Sequence, residues 1–76
     1  MKKVRAVPQI ELIIVEEEMD GERLDVFVAE QVEQLSRSVV KSLINEGKIL
    51  VNQERQKPSY RVREGDDVNV EIPKPQ

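Results

Sequence analysis

Cysteine, histidine and tryptophan are all absent from the 76 residues. Without cysteine no disulfide can brace the chain. Without cysteine and histidine the usual zinc ligands are missing, and so are the nucleophile–base pairs built on them. Neither a metal nor a cofactor is expected. Aromatic residues are down to Phe27 and Tyr60. The longest apolar run, Leu12 to Val15, falls far short of a membrane span. The opening "MKKVRAVPQIELIIVEEE" has no long apolar region and no small-residue cleavage site, so it does not read as a secretory signal. The expected compartment is the cytoplasm.

Hydrophobic residues, at 38%, are enough for a two-layer core, and charged residues make up 36%. This length gives one small domain, placed at residues 1–72 with a motif core over 20–72. "PKPQ" at 73–76 has the composition of a linker. The formal net charge is −3, but it is unevenly spread. Residues 1–35 carry a net −5, residues 36–63 a net +5 and residues 64–76 a net −3. A low overall pI argues against a polyanionic partner, whereas the middle segment argues for one.

The hydrophobic periodicity predicts a strand over 9–18, then a helix over 22–35 with Asp20 as candidate N-cap and Leu24, Phe27, Val28 and Val32 on one face. Ser36 is the candidate cap of a second helix, "RSVVKSLINE", with Val39, Val40, Leu43 and Ile44 as its apolar stripe and Gly47 just past its end. Short strands follow at 48–52 and 54–57 around a turn at Asn52-Gln53, although glutamine adopts positive φ reluctantly. Pro58-Ser59 breaks the chain, Gly65 centres a turn, and 68–72 alternates as a last strand with Val68, Val70 and Ile72 inward. The fold class is α+β: a helix pair packed on a small, mostly antiparallel sheet of short strands.

The second helix carries Arg37, Lys41 and Asn45 at spacings of four, away from its apolar stripe. Arg37 and Ser38 lie in its first turn, where free N–H groups favour a phosphate and a cation is locally unfavourable. Lys48 follows Gly47; Arg55 and Lys57 share one side of an extended segment, and Arg61 and Arg63 repeat that spacing. The candidate contact set is Arg37, Ser38, Lys41, Lys48, Asn52, Gln53, Arg55, Lys57 and Arg61. A phosphate backbone is the partner class that suits it. With so few rings, base-stacking sheets of the ribonucleoprotein or cold-shock kind are not supported, and a folded RNA helix or loop fits better. Glu16 to Glu18 and Asp66-Asp67 read as solvated ends.

Ser36-Arg37-Ser38, Leu43-Ile44, Gly47, Val51-Asn52, Pro58-Ser59 and Gly65-Asp66, in that order, resemble the RNA-binding domain named after the fourth protein of the small ribosomal subunit. The likeness covers roughly residues 20–72 and implies the alpha-L type of RNA-binding motif. Gln53 stands where that family usually has glycine. Upstream, "GERLDVFVAEQ" and the preceding strand are similar to the N-terminal domain of large-subunit ribosomal RNA pseudouridine synthases. That likeness implies a module for docking structured, ribosomal RNA, joined by the 73–76 linker to a separate catalytic domain. The module is expected to be a monomer and, with no histidine, no cysteine and no carboxylate pair in a plausible pocket, to do no catalysis itself. The catalytic motif of those synthases contains Arg-Leu-Asp, which Arg23-Leu24-Asp25 spells. Val26-Phe27-Val28-Ala29 then continues a helix where the synthases have a Thr-Ser-Gly type sequence, so Asp25 is expected on the helix surface.

Two other classes compete. Two short helices with a basic second N-terminus also describe a DNA-binding helix-turn-helix, against which stands the continuation of basic residues into the strand region. A protein-interaction adaptor would need an exposed apolar patch, and the sequence assigns none.

Overall fold

A computed structural model describes residues 9–72; the linker expected at 73–76 lies outside them. Alternation in "DVNVEI" makes β3, Asp67–Ile72, the middle of a three-stranded antiparallel sheet ordered β1-β3-β2. Its Val68, Val70 and Ile72 are buried. β1 is Gln9–Ile14, with Gln9 opposite Ile72 and Ile14 opposite Asp67; β2 is Ile49–Val51, with Ile49 opposite Val70. Between β1 and β2 come α1, Leu24–Gln31, and α2, Arg37–Asn45, which pack on each other. The expected α+β arrangement of a helix pair on a small antiparallel sheet is therefore the one observed.

One core serves all five elements. Leu24, Phe27 and Val28 of α1 meet Val40, Leu43 and Ile44 of α2 over Ile49, Val51, Val68 and Val70, with Val15 and Val62 closing the sides. Each such side chain contributes roughly 1.5–3 kcal/mol by leaving water. α2 is defined at both ends. Ser36 Oγ accepts the Val39 N–H at 3.3 Å, the bond expected of an N-cap. At the other end the Gly47 N–H reaches Ile44 O at 3.1 Å and the Lys48 N–H reaches Leu43 O at 2.9 Å. This is the paired Schellman closure, and it places Gly47 at φ +82°.

Several boundaries differ from the sequence reading. The first strand stops at Ile14 rather than residue 18, because its partner β3 begins at Asp67. Val15 beyond it bonds instead to the Gly65-Asp66 turn, its N–H to Asp66 O at 3.0 Å and its carbonyl to the Gly65 N–H at 2.8 Å. A single 3-10 turn, Glu17–Met19, follows. α1 starts at Leu24, with Arg23 rather than Asp20 at its cap position; the Asp20 carboxylate accepts the Glu64 N–H instead, at 3.0 Å. α1 also ends at Gln31, although Val32 and Leu35 beyond it remain buried. Val39 is 41% exposed and lies off the buried stripe. Residues 54–57 form no strand: after one bridge, Val51 to Glu54, closes the turn, the chain leaves the outer edge of β2 for the start of α1, where Pro58 O accepts the Asp25 N–H. Asn52 and Gln53 both take positive φ there, 52° and 68°. The sheet face turned from the helices carries Ile10, Leu12 and Ile14, exposed by 65%, 60% and 48%.

Candidate nucleic-acid interface

Amphipathicity puts Arg37, Ser38, Lys41 and Asn45 on the exposed side of α2, because Val40, Leu43 and Ile44 claim the other side for the core. Arg55 is brought to the C-terminal end of this row. Its Nη2 donates to the Asn45 carbonyl, one of the helix's last oxygens without an intrahelical partner. Gly47 leaves room for this close approach: a Cβ there would stand 3.3 Å from Arg55 Nε and would press the side chain back by a few tenths of an ångström. The row on α2 thus continues into the loop that follows β2.

That loop is tied down beside α1. The Asp25 N–H reaches Pro58 O at 3.1 Å and the Leu24 N–H reaches Tyr60 O at 2.7 Å. Lys57 and Ser59 are exposed on it. Lys41 approaches from α2, close enough to Asp25 for its charge to act on that carboxyl. Arg61 stands apart at the start of α1, bridged to Arg23 and donating from Nη1 to Gly21 O at 3.0 Å. Lys48 is exposed and 3.6 Å from Glu46 Oε1, an ion pair of little energetic weight in water.

Asn52 and Gln53 divide their roles. The Asn52 amide is engaged at both ends: Nδ2 donates to Asp66 Oδ1 at 3.1 Å, and Oδ1 accepts the Asp67 N–H at 3.0 Å. Gln53 projects at the tip of the turn, exposed.

Two carboxylates that the sequence places on the surface are buried. Asp25 is 0% exposed. It accepts from Arg23 Nε at 3.1 Å and Nη2 at 3.0 Å, and from the Val26 N–H at 2.8 Å. Burial alone would raise its pKa, but the Arg23 hydrogen bonds and charge, the Val26 N–H and the charge of Lys41 together hold it below the ordinary 3.8. Asp66 gathers the Asn52 amide, the Tyr60 hydroxyl at 2.8 Å and the Arg63 N–H at 3.0 Å. Burial pushes this carboxyl up as well, and the Arg63 N–H, Tyr60, Asn52 and the charge of Arg63 outweigh it downward. Tyr60 moves the opposite way: burial, the bond to Asp66 and the Asp66 charge raise its hydroxyl above 10.0, against a smaller pull from Arg63. The sequence signal for Asp66 was Gly65-Asp66 within the resemblance. For Asp25 it was the arginine two residues before.

A family model described as the S4 domain matches residues 22–68. The chain belongs to the S4 domain family. The match begins just before α1 and ends inside β3, so it contains both helices, the Asn52-Gln53 turn and the loop to Tyr60. The S4 chain is also similar to "Ribosomal large subunit pseudouridine synthase C" of Vibrio cholerae, 34% identical over 92% of this chain and 22% of that protein. An uncharacterized RNA pseudouridine synthase of Aquifex aeolicus is 43% identical over 78% of this chain and 19% of that protein. A second, of Bacillus subtilis, is 34% identical over 84% of this chain and 21% of that protein. The S4 chain spans about a fifth of the length of these relatives. Among the described residues no group of three or more acidic side chains is placed to hold a metal ion. No helix among them is long and apolar enough to cross a membrane.

Proposed function

We propose that this S4 domain docks structured, ribosomal RNA through the face made by α2 and the loop after β2, as one part of a pseudouridine synthase whose chemistry is done elsewhere in a longer chain. Family membership and the names of the relatives support an RNA-binding domain. The observation that carries the choice of face is Arg55, hydrogen-bonded to the end of α2 so that the Arg37–Lys41–Asn45 row runs on toward Lys57. Cations set at fixed intervals on rigid elements read the positions of phosphates, and thereby RNA shape, without reading bases. In the parent protein, tethering would raise the local concentration of RNA at the active site, a contribution of position and not of chemistry.

The test is titration of a structured ribosomal RNA fragment with two charge reversals. Arg37→Glu removes a charge-assisted contact of about 1.5–3 kcal/mol, so binding weakens by at least tenfold. Arg63→Glu, an equal change in charge in the turn against Val15, weakens it only by the smaller long-range term. Equal losses in the two variants would reduce the face to diffuse attraction.

The adaptor reading gains one observation, the exposed row Ile10, Leu12 and Ile14. It lies on the sheet face turned from the helices, so a protein contact there does not compete with RNA on α2. Leu12→Gln, which changes no charge, should leave RNA affinity unchanged; a loss would move the RNA face onto the sheet.

A further inference from the structure

Beyond the phosphate-reading row, the segment from Arg55 to Tyr60 walls a depression of about 400 Å³, lined by Arg55, Gln56, Lys57, Ser59 and Tyr60. That volume falls in the range of roughly 300–1,000 Å³ that takes small molecules. It has room for one nucleotide and none for a duplex.

Two of its walls are set by bonds within the fold. Tyr60 donates its N–H to Lys57 O at 2.9 Å, accepts the Leu24 N–H on its carbonyl, and donates its hydroxyl to the buried Asp66. With the hydroxyl committed, what Tyr60 offers the depression is its ring. Arg55 is held by Asn45 O and lies against Gly47. Lys57 belongs to neither of the ion pairs found among the described residues, so its charge is available. One fixed ring beside two cations, with the Gln56 amide and the Ser59 hydroxyl at the margin, complements a nucleotide part by part.

We propose that this depression receives a single unstacked nucleotide of the bound RNA, its base on the Tyr60 ring and its phosphate between Lys57 and Arg55. The proposal rests on the RNA-docking reading and narrows it. Bases inside an A-form helix stay stacked and out of reach, so the ligand must present a bulge, a loop or a strand end. A lone ring holds one base. It is not the multi-ring platform of a single-strand binder, and it adds local selectivity to a face that otherwise recognises shape.

The experiment uses two RNA hairpins that differ only in whether one 2-aminopurine is bulged or paired opposite uridine. The wild-type chain should bind the bulged form about tenfold more tightly, within the range of a base–aromatic stack, and its 2-aminopurine fluorescence should change on binding. Tyr60→Phe keeps the ring and should keep the preference. Tyr60→Leu removes the ring and should cut the preference to below about twofold, with the paired hairpin bound as before. Because Tyr60 also packs against the core, the exposed Ser59→Leu serves as the second variant, filling the depression without touching the core. A wild-type chain that binds both hairpins equally, or a bulge preference that survives Ser59→Leu, overturns the nucleotide site and leaves the docking reading standing. A chain that binds neither hairpin overturns both.

Discussion

A carboxylate shut away from water must be met by donors, and Asp25 and Asp66 are met by different kinds. Asp25 has a local partner, the guanidinium two residues before it, in a two-pronged contact. Arg23→Ala should therefore cost about 2 kcal/mol in chemical denaturation, less than the roughly 3–5 kcal/mol of a fully buried pair, because the arginine side chain is 40% exposed. A loss under half a kilocalorie would mean that the backbone N–H of Val26 alone satisfies the carboxyl. Both groups have pKa values held below 3.8 in the folded chain. Each thus favours folding at pH above its unfolded value, and that contribution disappears as the pH falls through the lowered folded value. Glu22 has the opposite sign: burial and the nearby Glu30 raise its pKa, so it destabilises the folded chain once ionised and is relieved as the pH falls. Thermal melts between pH 7 and 2 should show stability dropping below about pH 4, the ordinary carboxylate range, and Asp66→Asn should flatten that drop. Parallel curves for the variant and the wild type would remove Asp66 from the account. The burial of these acids was not read from the sequence, although Arg23 beside Asp25 and Gly65 before Asp66 each left a local signal. Charge alone reads as solvated, and the Asn52 that helps hold Asp66 stands fourteen residues away.

Elements whose rules are local were readable, and those decided by distant partners were not. α2 carried its own start at Ser36, its stripe at Val40, Leu43 and Ile44, and its stop at Gly47, all within twelve residues. The strand expected at 54–57 failed although the outer edge of β2 is open, because the segment is drawn away to distant partners: Arg55 to the Asn45 carbonyl, and Pro58 and Tyr60 to the first N–H groups of α1. The candidate site divides along the same line. The basic row on α2 follows from helical spacing, whereas the reach of Arg55 to Asn45 O and the fixing of Tyr60 depend on contacts between elements. The Asn52-Gln53 turn is built in the left-handed region at both positions, which asparagine tolerates and glutamine resists. Gln53→Gly should therefore stabilise the chain by about 0.5 kcal/mol, the relief of strain being partly offset by a freer unfolded state. Equilibrium unfolding in urea measures it directly, and a destabilised variant would show that the Gln53 side chain contributes more than its strain costs.

For the molecule as a whole, net charge is the wrong descriptor and its layout the right one. A chain of net −3 carries a +5 segment over residues 36–63, and most of its cations are exposed. About four to six phosphate contacts would give binding to folded RNA a log–log salt slope of roughly −3 to −5. Affinity that barely changes from low to high salt would contradict a phosphate-dominated face. The topology has a consequence of a different order, in time. β3 is the central strand of the sheet and the last to be made: β1 waits for a partner almost sixty residues downstream, and β2 for the same strand. Chain leaving a ribosome therefore presents two helices with local contacts and two unpaired strands, one bearing Ile10, Leu12 and Ile14. A nascent chain arrested with Gly65 just outside the exit tunnel should be helical, easily digested by protease and sticky. Release of seven more residues should bring protection in a single step, because the strand that completes the sheet also covers the core.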